Sequence, residues 1–404
     1  MSLTRAYAVH KQLGAQMVKY AGYMLPMSYD TTNLTQKSQQ GGILKETLNT
    51  RNKDRCSVFD VSHMGQYKIY GDDRNCFLDS LVVGDILGLA KNKSILSAFT
   101  NEMGGIMDDV IITNQGDHLN VVCNGANRIK IKGHLADCKT NEIYIDYTTG
   151  NQLYAIQGPQ SINVLTEVLQ KYLVDDRILH QIKHTEFMNH IPIALDGRRC
   201  DIYTQGYTGE IGVEISVPDE IAEEFFIHIL NHEKSHAAGL GARDILRLEA
   251  GYCLYGQEIN EKTNIFEAQM GWTINKHKRK RHNFPGSQII LNHDGTIRNE
   301  NMKKIRTGFV ATKKCITPKL NDIVFKTDAE DNVDSGDLSS IGYVTSGCYS
   351  PHRNKPISMG YIYLDESDSS FRQKYKSYVR DNKRVNIKTK RKINEYKPSP
   401  FPLI

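Results

Sequence analysis

The stretch Gly206-Tyr207-Thr208-Gly209-Glu210-Ile211-Gly212-Val213-Glu214-Ile215 runs from a glycine-rich turn straight into an alternating strand. Val213, Ile215 and Val217 share one parity, and Gly212, Glu214 and Ser216 share the other. The pattern predicts a half-buried strand with Glu214 on its outward face. Alternation recurs at residues 66–70, 118–123 and 142–147. Helical spacing occupies residues 161–172, 221–230 and 242–252. In the last of these Ile245, Leu248 and Tyr252 fall on one face, while Arg243 and Arg247 point elsewhere. The elements mix without a regular βαβ rhythm, and no glycine-rich phosphate loop follows a strand. The fold class is therefore α+β, and a dinucleotide-binding Rossmann domain is excluded. Between Phe284-Pro285-Gly286 and Met302 the character changes to strands punctuated by Gly, Pro and Thr. Residues 1–298 are expected to form one region and residues 299–404 a small C-terminal β domain.

The chain has 404 residues, 39% hydrophobic and 24% charged, which is enough apolar material for a core. No run approaches the roughly 20 apolar residues that span a bilayer, and residues 1–10 read as neither a secretory signal nor a transit peptide. Cys56, Cys76, Cys123, Cys138, Cys200, Cys253, Cys315 and Cys348 contain no C-x-x-C pair, so reduced thiols are expected and no metal site. The net charge of +5 is mild. Basic residues cluster at Lys276, Lys278, Arg279, Lys280 and Arg281, and again over residues 372–392. Solvated lysines and docking of an acidic protein are both open readings of these clusters. No nucleic-acid reader motif accompanies them. Residues 31–42 and 327–337 read as surface loops, the second without the ligand spacing of an EF-hand.

Three segments carry candidate chemistry. In Asn101-Glu102-Met103-Gly104-Gly105-Ile106-Met107-Asp108-Asp109-Val110-Ile111-Ile112 a glycine pair precedes two carboxylates at the head of a strand. Adjacent strand residues point to opposite faces, so one of the two can address a pocket and handle a proton or a developing cation. Glu214, if its face lines a pocket, suits a 2-amino-pyrimidinone edge with its two adjacent N–H donors. In Gly239-Leu240-Gly241-Ala242-Arg243-Asp244 a Gly-x-Gly turn opens a helix with Arg243 in its first turn. That is an unfavourable place for a cation by the helix dipole. Either an anion is bound there, or Arg243 pairs at the surface with Asp244 or Glu249.

These segments, together with Lys19-Tyr20-Ala21-Gly22-Tyr23-Met24-Leu25-Pro26-Met27, Phe59-Asp60-Val61-Ser62-His63-Met64-Gly65, Gln157-Gly158-Pro159 and Gly342-Tyr343-Val344-Thr345-Ser346-Gly347-Cys348-Tyr349-Ser350-Pro351, resemble the glycine-cleavage T-protein family in both content and order. The resemblance implies a cloverleaf of three domains around a central folate channel: two intertwined α+β units and a C-terminal β-barrel-like unit. It implies transfer of a methylene carbon from the aminomethyl-lipoyl H-protein to tetrahydrofolate, releasing ammonia and the dihydrolipoyl carrier. By position in the family motifs, Asp109 matches the essential carboxylate, Glu214 the pterin-edge acid, and Arg243 a folate-binding arginine serving the glutamyl carboxylates. Met64, Leu96 and Tyr207 match residues lining the pterin and benzoyl path, and Asn124 a polar residue near the pterin. A monomer in the mitochondrial matrix, binding neither nucleic acid nor membrane, is implied. Departures from the pattern are Thr47 where His is common, Tyr23 where Trp is common, and Pro400-Phe401-Pro402-Leu403-Ile404, which stops before a tyrosine of some relatives.

The nearest rival is the related folate-binding iron–sulfur assembly factor, whose Lys-Gly-Cys-x-x-Gly-Gln-Glu motif is only partly echoed by Gly251-Tyr252-Cys253-Leu254-Tyr255-Gly256-Gln257-Glu258. A folate-dependent demethylation module would normally follow a flavin domain, and the chain carries no dinucleotide fingerprint.

Overall fold

The computed structural model describes residues 1–33, 41–147, 150–326, 340–364, 379, 383–390 and 392–404. The acidic stretch 327–337, most of 31–42 and most of the basic run 372–392 lie outside the described residues. The chain folds into two compact units. One comprises Met1–Phe77, Ile86–Leu96 and Val110–Leu246, and the other Leu78–Asp85, Ser97–Asp109 and Arg247–Ile404.

The first unit is built on a six-stranded sheet in the order His190–Leu195, Arg198–Tyr203, Gly212–Pro218, Asn151–Gln157, Cys56–Asp60, Ser235–Ala237. Val213, Ile215 and Val217 project into a core shared with Val164, Leu165 and Val168 of the helix Ser161–Lys171 and with Phe225 and Phe226 of the helix Asp219–Leu230. That face follows the sequence parity. The other face does not reach solvent: Val213 to Val217 are buried throughout, and Glu214 is 7% exposed. What covers it comes from a second sheet containing Gly65–Tyr70, Leu119–Cys123 and Tyr144–Asp146. Ser216 Oγ donates to Gln66 Oε1 at 3.3 Å, and Asn120 Nδ2 donates to the Tyr203 hydroxyl at 3.2 Å. The outward reading of Glu214 is thus corrected. These polar contacts between the two sheets lie beside an apolar cluster that includes Phe59, Val122, Leu153 and Ala155, and alternation alone cannot distinguish a covered face from a wet surface.

In the same unit Asp60 is buried and meets His10 Nε2 at 2.9 Å, with the Tyr29 hydroxyl 3.0 Å from His10 Nδ1. Burial alone would raise the Asp60 carboxyl. The His10 contact and the hydrogen bond from Ser62 reverse this and hold it below its ordinary value.

The second unit ends in a closed six-stranded barrel, ordered Lys304–Ala311, Lys355–Tyr363, Ser340–Ser350, Ile323–Lys326, Val385–Lys388, Ile393–Ser399 and back to the first. Closure removes the exposed sheet edge, and Phe309, Val324, Val344 and Tyr396 fill the interior. The helix Leu240–Ala250 supplies this unit with Arg247, which is 1% exposed rather than turned away from the core. Its Nη1 donates to Glu258 Oε2 at 2.8 Å and its Nη2 to Ser346 Oγ at 2.9 Å. Glu258 also accepts from Thr345 Oγ1, Ser346 Oγ and the Leu254 amide. Burial would raise the Glu258 carboxyl, but Arg247 and these donors hold it below its usual range. Tyr252, expected on the apolar face of this helix, lies beyond its end and is 39% exposed.

Glu258→Ala leaves Arg247 buried without its carboxylate and is expected to cost about 3–5 kcal/mol, read from denaturant unfolding. Asp60 and Glu258 both have folded-state pKa values below their unfolded ones. Their contribution is therefore present above about pH 4 and lost as pH falls through the depressed values. An acid-unfolding curve that is no flatter in Glu258→Gln than in the wild type would contradict this assignment.

Candidate active site

Within the first unit three anchored turns bring side chains together. The motif Gln157-Gly158-Pro159 serves the first. Gln157 Nε2 donates to the carbonyls of Gln205 and Val213, at 3.1 and 3.2 Å, while its Oε1 accepts from Thr208 Oγ1 at 2.8 Å. A Cβ at Gly206 would sit 1.9 Å from Gln157 Oε1, so the turn that presents Tyr207 requires glycine there. The second anchor is buried Glu46, which accepts the Gly239 amide at 2.9 Å at the start of the Arg243 helix. A Cβ at Gly239 would lie 2.4 Å from the Met27 carbonyl. The third is Asp60, whose Oδ1 accepts the Ser62 amide at 3.0 Å, immediately before His63 and Met64.

These anchors assemble a polar group. The Arg243 guanidinium lies over the Tyr207 ring, 4.8 Å from its centroid, and 4.0 Å from Glu214 Oε1. Glu214 Oε2 accepts from Gln205 Nε2 at 2.8 Å. The ion-pair partner of Arg243 is therefore Glu214, not the surface pairing with Asp244 or Glu249. Met64 packs against the apolar cluster of Phe59, Val61, Val122, Ala242 and Leu246. Asn124 is half-buried just ahead of Gly125, where a Cβ would meet the His63 carbonyl at 2.6 Å. Leu96 is half-buried on the strand Ser94–Thr100.

Several buried atoms here have no hydrogen-bond partner among the described residues: Arg243 Nη1, Gln205 Oε1, His63 Nδ1 and Arg128 Nη1. Leaving such a group unmade costs about 1–3 kcal/mol each. Unpaired buried atoms occur elsewhere in the described residues too, His118 Nε2 and His236 Nε2 among them, and these four are the ones beside the Glu214–Arg243 pair and His63 that can take polar ligand atoms. His63 is 5% exposed; burial, aided by Arg243 and Arg128 and opposed by Asp60, lowers its pKa to about 4. It is a neutral imidazole at physiological pH. The sequence reading missed His63, Gln205 and Arg128. Arg128 carried the same signal as Arg243, a cation in the first turn of a helix.

Asp109 belongs to the second compact unit. The turn before it is set by Asn101, whose Oδ1 accepts the amides of Met103 and Gly105 at 3.0 and 2.9 Å. Gly104 has φ +78°, and a Cβ at Gly105 would lie 1.9 Å from the Glu261 carbonyl. On the strand Ile106–Asn114, Asp108 is fully buried and Asp109 half-buried. Burial pushes the nearby Cys253 thiol up to about 12, with Arg306 and Arg247 opposing and Glu258 and Asp109 adding to the rise, so Cys253 is a protonated thiol. Among the described residues no cluster of His, Cys, Asp and Glu has metal-holding geometry, and no helix is long and apolar enough to cross a membrane.

The GCVT N-terminal domain family matches residues 6–278, and the glycine cleavage T-protein C-terminal barrel domain family matches residues 306–402. The chain is 37% identical over 371 residues to a mitochondrial aminomethyltransferase of Dictyostelium discoideum, covering 88% of this chain and 83% of that protein. It is 39% identical over 368 residues to the mitochondrial aminomethyltransferase of Mus musculus, covering 89% and 82%. The crystal structure of the glycine cleavage system aminomethyltransferase T from Bartonella henselae has a TM-score of 0.82 to it at 26% identity, covering 100% of this chain and 98% of that one. The chain belongs to the glycine cleavage T-protein family of aminomethyltransferases. The expected mixed α+β fold with a C-terminal barrel is borne out, and the iron–sulfur assembly reading is not supported. In this T-protein relative the residue echoing that factor's terminal glutamate, Glu258, is consumed by Arg247 and the barrel hydroxyls.

The basic cluster in the helix Lys276–Arg281 is corrected as well. Lys278 is fully buried, with Nζ 3.0 Å from Asp79 Oδ2. Arg281 bridges Asp79 and Asp85, and Arg279 donates to the carbonyls of Ile274 and Gly271. Only Lys276 and Lys280 of the five basic residues are exposed. Lys278→Ala is therefore expected to lower the free energy of unfolding by up to about 3–5 kcal/mol through loss of the buried Lys278–Asp79 ion pair, with Arg281 and Asn283 still holding Asp79. A folded, equally stable Lys278→Ala protein would return this lysine to the surface.

Proposed function

We propose that this aminomethyltransferase takes the methylene carbon of an aminomethyl group from the lipoyl arm of an H-protein and transfers it to tetrahydrofolate, releasing ammonia and the dihydrolipoyl carrier. The observation that carries the folate part is the complement of unpaired atoms around Glu214. A reduced pterin presents two adjacent N–H donors beside a carbonyl. The Glu214 carboxylate and Gln205 Oε1 accept, Arg243 Nη1 donates, and Tyr207 and Met64 provide flat and apolar walls. These residues fit the co-substrate. Asn124 and Leu96 are further contacts of the same site. When bound, tetrahydrofolate supplies the amine nitrogens that take up the one-carbon unit.

Asp109 is the proposed catalytic carboxylate: on the strand Ile106–Asn114 it is half-buried, whereas its neighbour Asp108 is fully buried. A fixed negative charge there stabilises the positive charge that develops on carbon as ammonia departs. Holding two large substrates at one carbon supplies much of the remaining acceleration. With Glu214 Oε1 4.0 Å away, Arg243 is assigned in this proposal to the pterin end rather than to the glutamyl carboxylates, which Glu214 would repel. The mitochondrial names of the relatives support a mitochondrial location; a matrix enzyme that works as a monomer on a carrier protein is part of the proposal.

Asp109→Asn is expected to lower kcat by a factor of about 10² or more with the unfolding midpoint unchanged, while Asp108→Asn lowers stability instead. Full turnover in Asp109→Asn, measured with loaded carrier and tetrahydrofolate, would remove the residue from the mechanism. Arg243→Ala is expected to raise the Kd for tetrahydrofolate more than it lowers kcat. Calorimetry showing tight binding with lost turnover would reverse that assignment.

A further inference from the structure

Arg128 opens the helix Arg128–Cys138, whose first turn contains no acid and whose N-cap, Asn127, makes no side-chain cap hydrogen bond. A helix N-terminus attracts anions, yet here it carries Arg128 and Lys130. The Arg128 guanidinium lies over the Tyr23 ring, 4.8 Å from its centroid, and its Nη1 is buried without a hydrogen-bond partner. It makes no ion pair among the described residues, in contrast to Arg243 with Glu214.

The backbone around it is cleared to hold this pose. A Cβ at Gly22 would come within 2.8 Å of Arg128 Nη2, and one at Gly65 within 3.0 Å of Arg128 Cβ. The Tyr67 hydroxyl donates to the Arg128 carbonyl at 2.5 Å, fixing the first residue of the helix. Beside it stands His63, 5% exposed, with Nδ1 unpaired and the Tyr20 ring edge-on at 5.3 Å. A cation held on an aromatic face, with a buried nitrogen free and no carboxylate to neutralise it, lacks an anion.

We propose that Arg128, with the N-terminal end of its helix, forms an anion subsite that takes a carboxylate of the folate glutamyl tail, distinct from the Glu214–Arg243 pair at the pterin edge. This rests on the folate reading above. It divides the two arginines by chemistry: Arg243, already facing a carboxylate, serves the neutral ring, and Arg128, facing none, serves the charged tail.

Calorimetric titration of the full chain separates the roles, with tetrahydrofolate and its bis-amide, in which both carboxylates are neutral, as probes. Arg128→Gln is expected to weaken tetrahydrofolate by about 10- to 100-fold, the scale of one charge-assisted contact, and to change the bis-amide less than about twofold. Arg243→Ala weakens both probes by the same factor. Arg128→Lys, which keeps the charge and loses the planar fork, falls between wild type and Arg128→Gln for tetrahydrofolate alone. It serves as the reading variant if Arg128→Gln fails to fold. Unchanged tetrahydrofolate affinity, or an equal loss for both probes, overturns the subsite while leaving the folate assignment standing. Wild-type protein that binds neither probe overturns both.

Discussion

Three backbone N–H groups, from Tyr29, Gly42 and Gly239, converge on the buried carboxylate of Glu46 at 2.8, 3.2 and 2.9 Å. Burial raises its pKa against the pull of those three donors, so the group is costly where it stands. The return is positional. Gly239 is the residue from which the helix of Arg243 starts, and the Arg243 amide donates to its carbonyl at 3.1 Å. With Gly241 pressed so closely that a Cβ would lie 2.6 Å from the Ile43 side chain, the start of the helix has no room to slide. The placement of Arg243 over Tyr207 and beside Glu214 depends on that fixed start.

The same helix shows how two arginines one turn apart acquire opposite functions. Arg247 finds a carboxylate, a hydroxyl and the Tyr252 carbonyl, so its donors are spent on structure. Arg243 finds an aromatic face and a carboxylate at the outer limit of ion-pair range, and one guanidinium nitrogen stays free. Hydrogen-bond saturation, more than residue type or burial, separates the arginine available to a ligand from the one that is not.

Much of the architecture was legible because it rests on local pattern. The strands Gly65–Tyr70, Leu119–Cys123 and Gly212–Pro218 and the helices Ser161–Lys171 and Asp219–Leu230 sit within two residues of their periodic segments. Failures arose where a polar residue was buried by something distant in sequence. Glu214 read as outward because period-two alternation cannot report a second sheet, Arg247 because its partners Glu258 and Ser346 are 11 and 99 residues away. Lys278 read as part of a solvated basic run, while Asp79, 199 residues earlier, buries it. The candidate acids and Arg243 were legible from glycine-rich turns leading into strand and helix, and their roles came from family order in the chain. Gln205, His63 and Arg128 emerged only with the contacts, since what distinguishes them is a partner they lack.

That lack has an energetic consequence for the molecule as a whole. Four unpaired buried atoms around one site, at about 1–3 kcal/mol each, amount to a sizeable fraction of the 5–15 kcal/mol by which a domain is ordinarily stable. The unit tolerates them because its sheet buries an extensive apolar core on the face away from Glu214, and because Asp60, Glu46 and Gln157 saturate the turns that carry the site. A ligand whose donors and acceptors match those atoms recovers the cost on binding, so recognition and folded-state stability are linked through the same groups. A wrong ligand, lacking one N–H or one carboxylate, leaves the cost in place. Selectivity then follows from the penalty of the unmade bond, which exceeds the net gain of any single bond made.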